Sequence, residues 1–264
     1  MHLRKFNLRG IIMGTAITAK NSNAENSGMR KFFPPVTRNL EAWHFLNTDV
    51  AKAATNYAWG KPDAVVVGAP LEFSDYIQFK GLANYLQTEV AESATQTVFS
   101  VIRTKDTRIG LDHLPAFYGN YRSASNGGSY LAIPAGAASL TKVACRFTDM
   151  GQTAVTSSPV SLGAPAAVNL GEWSLVVDIT KAGFNAIQNA TMSTSAERTD
   201  TTYGRKVSSE PYRIGSIYEA SSLWKGTADM AMWAHYSTEL TTSEIAAVVA
   251  RIRAYMIRRF GIIV

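Results

Sequence analysis

With one cysteine in 264 residues, the chain has no internal disulfide framework and no metal site built from cysteine pairs. That residue, Cys145, falls in the alternating run Lys142-Val-Ala-Cys-Arg-Phe147, where a buried small hydrophobe is expected. Histidine is nearly as scarce. His2, His44, His113 and His235 are scattered and form no pair at metal-ligand spacing. Charge is thin as well, at 17% of residues against about a quarter in an ordinary soluble domain. No segment approaches the roughly 18 consecutive apolar residues that a membrane-spanning helix needs. Three chemical signatures are also missing: the Gly-x-Ser-x-Gly nucleophile elbow, the phosphate-cradling Gly-x-x-x-x-Gly-Lys and the dinucleotide fingerprint. No internal repeat of solenoid or propeller length is present.

What is abundant is Thr, Ser, Val, Ala and Gly, a composition that favours strands and turns. A hydrophobic fraction of 46% is enough for a sizeable core. The net charge of +6 is concentrated near the ends, at Arg4, Lys5, Arg9, Lys20, Arg30, Lys31 and Arg38, and again at Arg251, Arg253, Arg258 and Arg259. No block is dense enough to point to nucleic acid, so solvated tails and an outer helix face are the expectation. The start imitates a signal peptide, but Gly14, Thr15 and Thr18 break its apolar stretch. Residues 1–39, polar and ended by Pro34-Pro35, read as an extended arm on a soluble, non-secreted protein.

From residue 40 onward the pattern is that of one domain. Leu40, Trp43, Leu46 and Val50 have near-helical spacing, which predicts a short helix over 40–54. Residues 56–62 then read as a turn. Period-two runs predict strands at 64–67, 76–79, 84–88, 95–103, 116–121, 129–133, 141–147, 173–180, 212–217 and 228–236. Many short strands with regular turns argue for an antiparallel sandwich. Ser125-Asn-Gly-Gly-Ser129 predicts a tight hairpin with positive φ at Asn126 and Gly127. At the C-terminus, Thr241 and Glu244 have capping-box spacing. Ile245, Val248, Val249, Ile252 and Met256 form one apolar stripe, and Gly261 is a stop, so a helix is predicted over 241–260.

The segments Pro211-Tyr-Arg-Ile-Gly-Ser216, Leu223-Trp-Lys-Gly226, Ala228-Asp-Met-Ala-Met-Trp233 and Ser237-Thr-Glu-Leu-Thr-Thr-Ser-Glu-Ile245 resemble the end of laminin-G/concanavalin-A-like domains. Glu172-Trp173-Ser-Leu-Val-Val-Asp178 is similar to another strand of that family. A narrower resemblance, to bacteriophage tail-fibre and virion-surface proteins, is carried by Asn56-Tyr-Ala-Trp-Gly-Lys-Pro62, Val66-Val-Gly-Ala-Pro70, Tyr76-Ile-Gln-Phe-Lys-Gly81, Asn84-Tyr-Leu-Gln-Thr88 and Thr97-Val-Phe-Ser-Val-Ile-Arg103. Together they imply an all-β, concanavalin-A-like antiparallel β-sandwich (jelly roll) over 40–264. The implied role is a non-enzymatic virion protein: a tail fibre, spike or capsid-decorating subunit. It would be made in the host cytoplasm and displayed on the particle as a homo-oligomer, with a trimer favoured. The arm over 1–39 would join it to other virion proteins.

Two other readings stay open: a carbohydrate-binding receptor module meeting host surface glycan, and a polysaccharide-degrading glycosidase on the same fold. Glycosidases of this fold share a Glu-x-Asp-x-x-Glu or Glu-x-Asp-x-Glu strand motif, which this chain lacks, so no catalytic residue is expected. Glu89 and Glu92 are three apart and are expected to be surface charge. Sugar binding relies on aromatic faces beside amides and hydroxyls. The candidates are Tyr118, Asn120, Tyr121, Tyr218 and Trp224, with strand or plug packing as the competing role. No cofactor is expected; calcium, which many lectin-like domains hold, has one candidate in Asp229, against a structural hydrogen-bonding role.

Overall fold

A computed structural model of the chain describes residues 32–47, 49–106, 113–134, 139–163, 171–221 and 223–264. Residues 1–31 of the expected arm lie outside the described residues. In chain order the elements are β1 (Leu40–Phe45), α1 (Val50–Ala53), β2 (Val65–Val67), β3 (Leu71–Glu72), β4 (Ile77–Lys80), β5 (Tyr85–Gln87), β6 (Gln96–Arg103) and β7 (Ala116–Gly119). They continue with β8 (Ser129–Ala132), β9 (Leu140–Phe147), β10 (Val155–Leu162), β11 (Ser174–Lys181), β12 (Phe184–Asn189), β13 (Thr194–Thr199), β14 (Arg213–Ile214), β15 (Thr227–Tyr236) and α2 (Thr242–Phe260). One sheet runs β13-β12-β11-β6-β15-β4-β3, with β1 also on β15; the other runs β10-β9-β8-β7-β14-β5-β2. All pairings between named strands are antiparallel. The predicted sandwich is therefore the observed one.

Alternation along the strands divides the side chains between two layers. Val98, Ile102, Val176 and Trp233 of the first sheet meet Leu86, Tyr118, Leu131 and Ile214 of the second in one core. The opposite face of the first sheet carries residues such as Phe99 and Tyr236, whose rings are 5.9 Å apart. A bulge at Ala231 makes this division possible within one long strand. Met230 pairs with Ile102 but Met232 pairs with Val101, so the extra residue shifts the alternation by one. The bulge sits where β15 changes partner from β4 to β1, and Leu46 N–H donates to the Ala231 carbonyl at 2.9 Å.

The C-terminal helix forms as its sequence predicts. Thr241 and Glu244 close a reciprocal capping box, and Gly261 ends the helix at φ 68°. Val248, Ile252 and Met256 are buried, while Arg258 is exposed. Tyr255 anchors the helix to β1, with its ring 4.5 Å from Phe45 and its hydroxyl donating to Asn47 Oδ1.

Three expectations are corrected. The helix predicted over 40–54 is strand β1, followed by only one helical turn at Val50–Ala53. Its residues are buried on both faces, between the core and the outer layer under α2, so both Ala42 and Trp43 are apolar and the run loses its period of two. Strands β10, β12 and β13 lie outside the predicted runs; β10 carries Pro159 at a sheet edge, where a missing N–H leaves no partner stranded. The tight turn at Asn126-Gly127 is instead a longer loop, with positive φ at Gly127 and Gly128.

Candidate functional site

At the end of the sandwich where β6 and β8 begin, the two sheets are joined by polar side chains. Gln96 Nε2 donates to Ser129 Oγ at 3.2 Å and to the Tyr212 hydroxyl at 2.7 Å, and His235 contacts Gln96 Oε1 at 3.1 Å. Just above lies Glu92, which the sequence places on the surface. Its carboxylate is buried instead, paired with Arg205 and accepting from Ser208 N–H at 2.8 Å and Asn120 Nδ2 at 3.3 Å. The carboxylate thus pins the loop after β7 and the segment before β14 to the start of β6. A buried carboxylate is tolerated because cation and amide donors surround it.

Over this strut two hairpin loops and residues Tyr203–Lys206 enclose an open groove of about 520 Å³, lined by Ser123, Ser125, Phe147, Gln152, Thr153 and Lys206 among others. Each wall is internally fixed. Gly127 N–H donates to Ser123 O, and the Ser123 hydroxyl donates to Asn126 Oδ1 at 2.6 Å. On the other side Asp149 accepts from the N–H groups of Thr153 and Ala154. These bonds, with the Thr153 hydroxyl, hold its carboxyl below the usual range. Gln152 Nε2 donates to Tyr203 O at 2.9 Å.

The Lys206 backbone bridges the two walls, donating to Cys145 O at 3.1 Å and accepting from Gly128 N–H at 3.0 Å. Gly127 is required beside it: at φ 78°, an added Cβ would lie 2.5 Å from Lys206 O. The Lys206 ammonium sits 5.6 Å from the centroid of the Phe147 ring. Among the described residues no carboxylate lines the groove and Lys206 forms no ion pair. The arrangement offers a free cation, an aromatic face, two serine hydroxyls, a threonine hydroxyl and an amide.

The residues singled out from sequence do not form this groove. Tyr118 and Asn120 are fully buried. Tyr118 packs 5.9 Å from Trp233, and Asn120 holds Ser129 N–H, Glu92 and the Glu210 carbonyl, so neither has surface to offer a sugar. Trp224 and Ile217 close a small apolar cluster with Leu114, Ala116 and Ala132, and Trp224 Nε1 donates to Glu219 at 2.7 Å. Half-buried Tyr121 lies 5.2 Å from Tyr130, which in turn meets Trp224 at 5.5 Å. Tyr218 is covered by Arg213, 3.5 Å over its ring, and donates to Gln87 Oε1.

Asp229 does not fit calcium. One oxygen accepts from Gln78 Nε2 at 2.8 Å and the other from Arg103 Nε at 3.1 Å, and the carboxylate is buried. Among the described residues no group of three or more His, Cys, Asp or Glu side chains is placed to hold a metal. Lys206, Phe147 and Gln152 were missed because their only sequence signal is a pair of polar turns beside strands, a pattern every hairpin shares.

No protein-family model matches the chain, and no curated protein matches it in sequence. Solved structures match across most of the sandwich. The receptor-binding domain of botulinum neurotoxin C/D mosaic serotype aligns with a TM-score of 0.57 at 12% identity, over 81% of this chain and 52% of that one. The botulinum neurotoxin serotype D ligand-binding domain, solved in complex with N-acetylneuraminic acid, aligns at 0.57 and 10% identity, over 87% of this chain and 53% of that one. The serotype D binding domain aligns at 0.55 and 12%, over 81% and 52%.

The fold is the concanavalin-A-like β-sandwich. This chain spans about half the length of the chains it matches. Identities this low relate architectures, and the sites grafted on them are argued from their own residues.

Proposed function

We propose that the chain is a non-enzymatic glycan-binding module whose site is the groove of Phe147 and Lys206, taking a saccharide that carries a carboxylate. The observation that carries this reading is the unpaired Lys206 ammonium over an aromatic face in an acid-free groove. A carboxylate on the sugar supplies the missing charge, the Phe147 ring accepts the apolar face of a pyranose, and Ser123, Ser125, Gln152 and Thr153 meet its hydroxyls. The likeness to a ligand-binding domain complexed with N-acetylneuraminic acid supports the same class of ligand.

The state of the carboxylates near this rim supports binding over hydrolysis. A glycosidase needs one carboxyl held protonated near neutral pH and within reach of the substrate. Glu92 is locked to Arg205. For Glu41, burial pushes the carboxyl upward, but Lys61 and the Ser237 hydroxyl outweigh it and hold the group below its ordinary value.

The segments similar to phage surface proteins support a finer reading: a virion component, with residues 1–39 joining it to other particle subunits as part of a homo-oligomer. Titration of the purified chain with N-acetylneuraminic acid and its neutral methyl ester tests the site. Binding of the acid alone, weakened by Lys206→Gln, is the expected result; release of reducing ends from host polysaccharide, or indifference to Lys206→Gln, would overturn the reading. Antibody labelling of virions in electron micrographs tests the location.

A further inference from the structure

Of the five tryptophans, Trp43, Trp173, Trp224 and Trp233 are buried, whereas Trp59 is 98% exposed. Its backbone is fixed by the turn around it. Trp59 occupies the second position of a turn in which Lys61 N–H donates to Ala58 O at 3.2 Å and Gly60 takes φ 69°, as the third position of a type II turn requires. The turn is tied down on both sides. Asn56 Oδ1 accepts from Trp43 N–H and Ala58 N–H, each at 3.0 Å, and Asn56 N–H donates to Asp63 at 2.8 Å. Tyr57 N–H donates to Trp43 O, and its ring packs edge-on 5.1 Å from Phe45. Lys61 is held by its ion pair with Glu41.

Two residues past Trp59 the same segment becomes the wall of a second groove, of about 290 Å³, lined by Glu41, Lys61, Glu89, Ser93 and Ser237 among others. Its chemistry is opposite to that of the Lys206 groove: carboxylates and hydroxyls, with its one lysine already neutralised. Glu92 also lines it, so the Glu92–Arg205 strut stands between the two grooves.

We propose that Trp59 and the Glu41–Ser237 groove form a second saccharide site, for a neutral sugar chain. An exposed indole face on a fixed backbone turn stacks on the C–H face of a pyranose, and only its two χ angles have to be ordered. Carboxylate and hydroxyl acceptors take the hydroxyl hydrogens of the same sugar, and Glu89 repels an acidic one. A protein or lipid partner would call for a contiguous apolar surface around the indole, whereas the charged Lys61–Glu41 pair lies two residues beyond it.

The test uses Trp59 as its own reporter, because acrylamide quenching of tryptophan emission reads the exposed indole far more than the four buried ones. Binding of the full chain to an array of neutral and acidic glycans identifies a neutral oligosaccharide, which is then titrated during quenching. The expected result is protection of Trp59 and a blue-shifted emission. Trp59→Ala should weaken neutral-glycan binding on the order of tenfold, Trp59→Phe should retain part of it, and both should melt as the parent does. Lys206→Gln should leave this binding intact, so failure of the acidic site and failure of this one are separable. The proposal is overturned if no neutral glycan distinguishes the parent from Trp59→Ala, or if phosphatidylcholine vesicles protect Trp59 and no sugar does.

Discussion

The Lys142 ammonium of β9 lies 2.9 Å from the Asp178 carboxylate of β11, joining the two sheets by an ion pair with both side chains out of contact with water. Lys142 also sits 5.1 Å over the Tyr118 ring. Burial, aided by the charge of Arg205, lowers Lys142 well below the usual lysine range, and burial raises Asp178 well above the usual carboxylate range. Desolvation thus opposes the charges on both partners. Lys142→Met alone strands Asp178 and should cost about 3–5 kcal/mol, whereas Lys142→Met with Asp178→Leu should recover most of that loss. Urea denaturation of the single and double variants measures it, and additive losses would show that the two residues do not act as a pair.

Two buried histidines make the fold sensitive to acid. Burial lowers His44 to about 4 and His235 to about 3, the latter helped by Lys142. His44 Nδ1 donates to the Ala53 carbonyl at 3.0 Å, and His235 is held by Gln96. Between pH 6.5 and these values the unfolded chain binds protons that the folded chain refuses. Stability is therefore full above about pH 6.5 and falls as pH drops towards 4 and then 3, by several kcal/mol on the order of 1.4 per unit and group. Melting temperature against pH should flatten in His235→Gln; an unchanged slope would remove His235 from the account.

The stripe on α2 should respond unequally to substitution. Ile252→Asp places a charge among buried Val248 and Met256 and should cost several kcal/mol, on the order of 3 or more. Arg258→Ala on the exposed side should stay within about 0.5 kcal/mol. Thermal melts of the two variants decide the point, and equal melting temperatures would mean that the stripe is not in contact with the sheet.

Gly127→Ala should act on the Lys206 groove with little reach elsewhere. The new Cβ meets Lys206 O in a backbone conformation that disfavours side chains, a strain of about 1–3 kcal/mol. Affinity for an acidic glycan should fall while neutral-glycan binding at Trp59 persists. Parallel loss of both would point to general loosening of the rim.

Short runs rich in Val, Ile, Thr and aromatic residues between turn residues marked β6, β9, β11 and β15 as strands by themselves, although nearly every residue on them is buried on both faces. Thr241, Glu244 and Gly261 determined α2 in the same way, since capping is satisfied within a few residues of chain. Local chemistry also marked Asn56–Pro62 as a turn. Tertiary structure alone decided that Leu40–Phe45 is a strand, because burial on both faces erased its period. It alone took Tyr118 and Asn120 into the interior and placed Glu92 beneath the rim, since exposure depends on what arrives from the opposite sheet. The grooves belong to the same class: Phe147 and Lys206 are 59 positions apart in sequence, and only the antiparallel return of the chain brings a cation to an aromatic face.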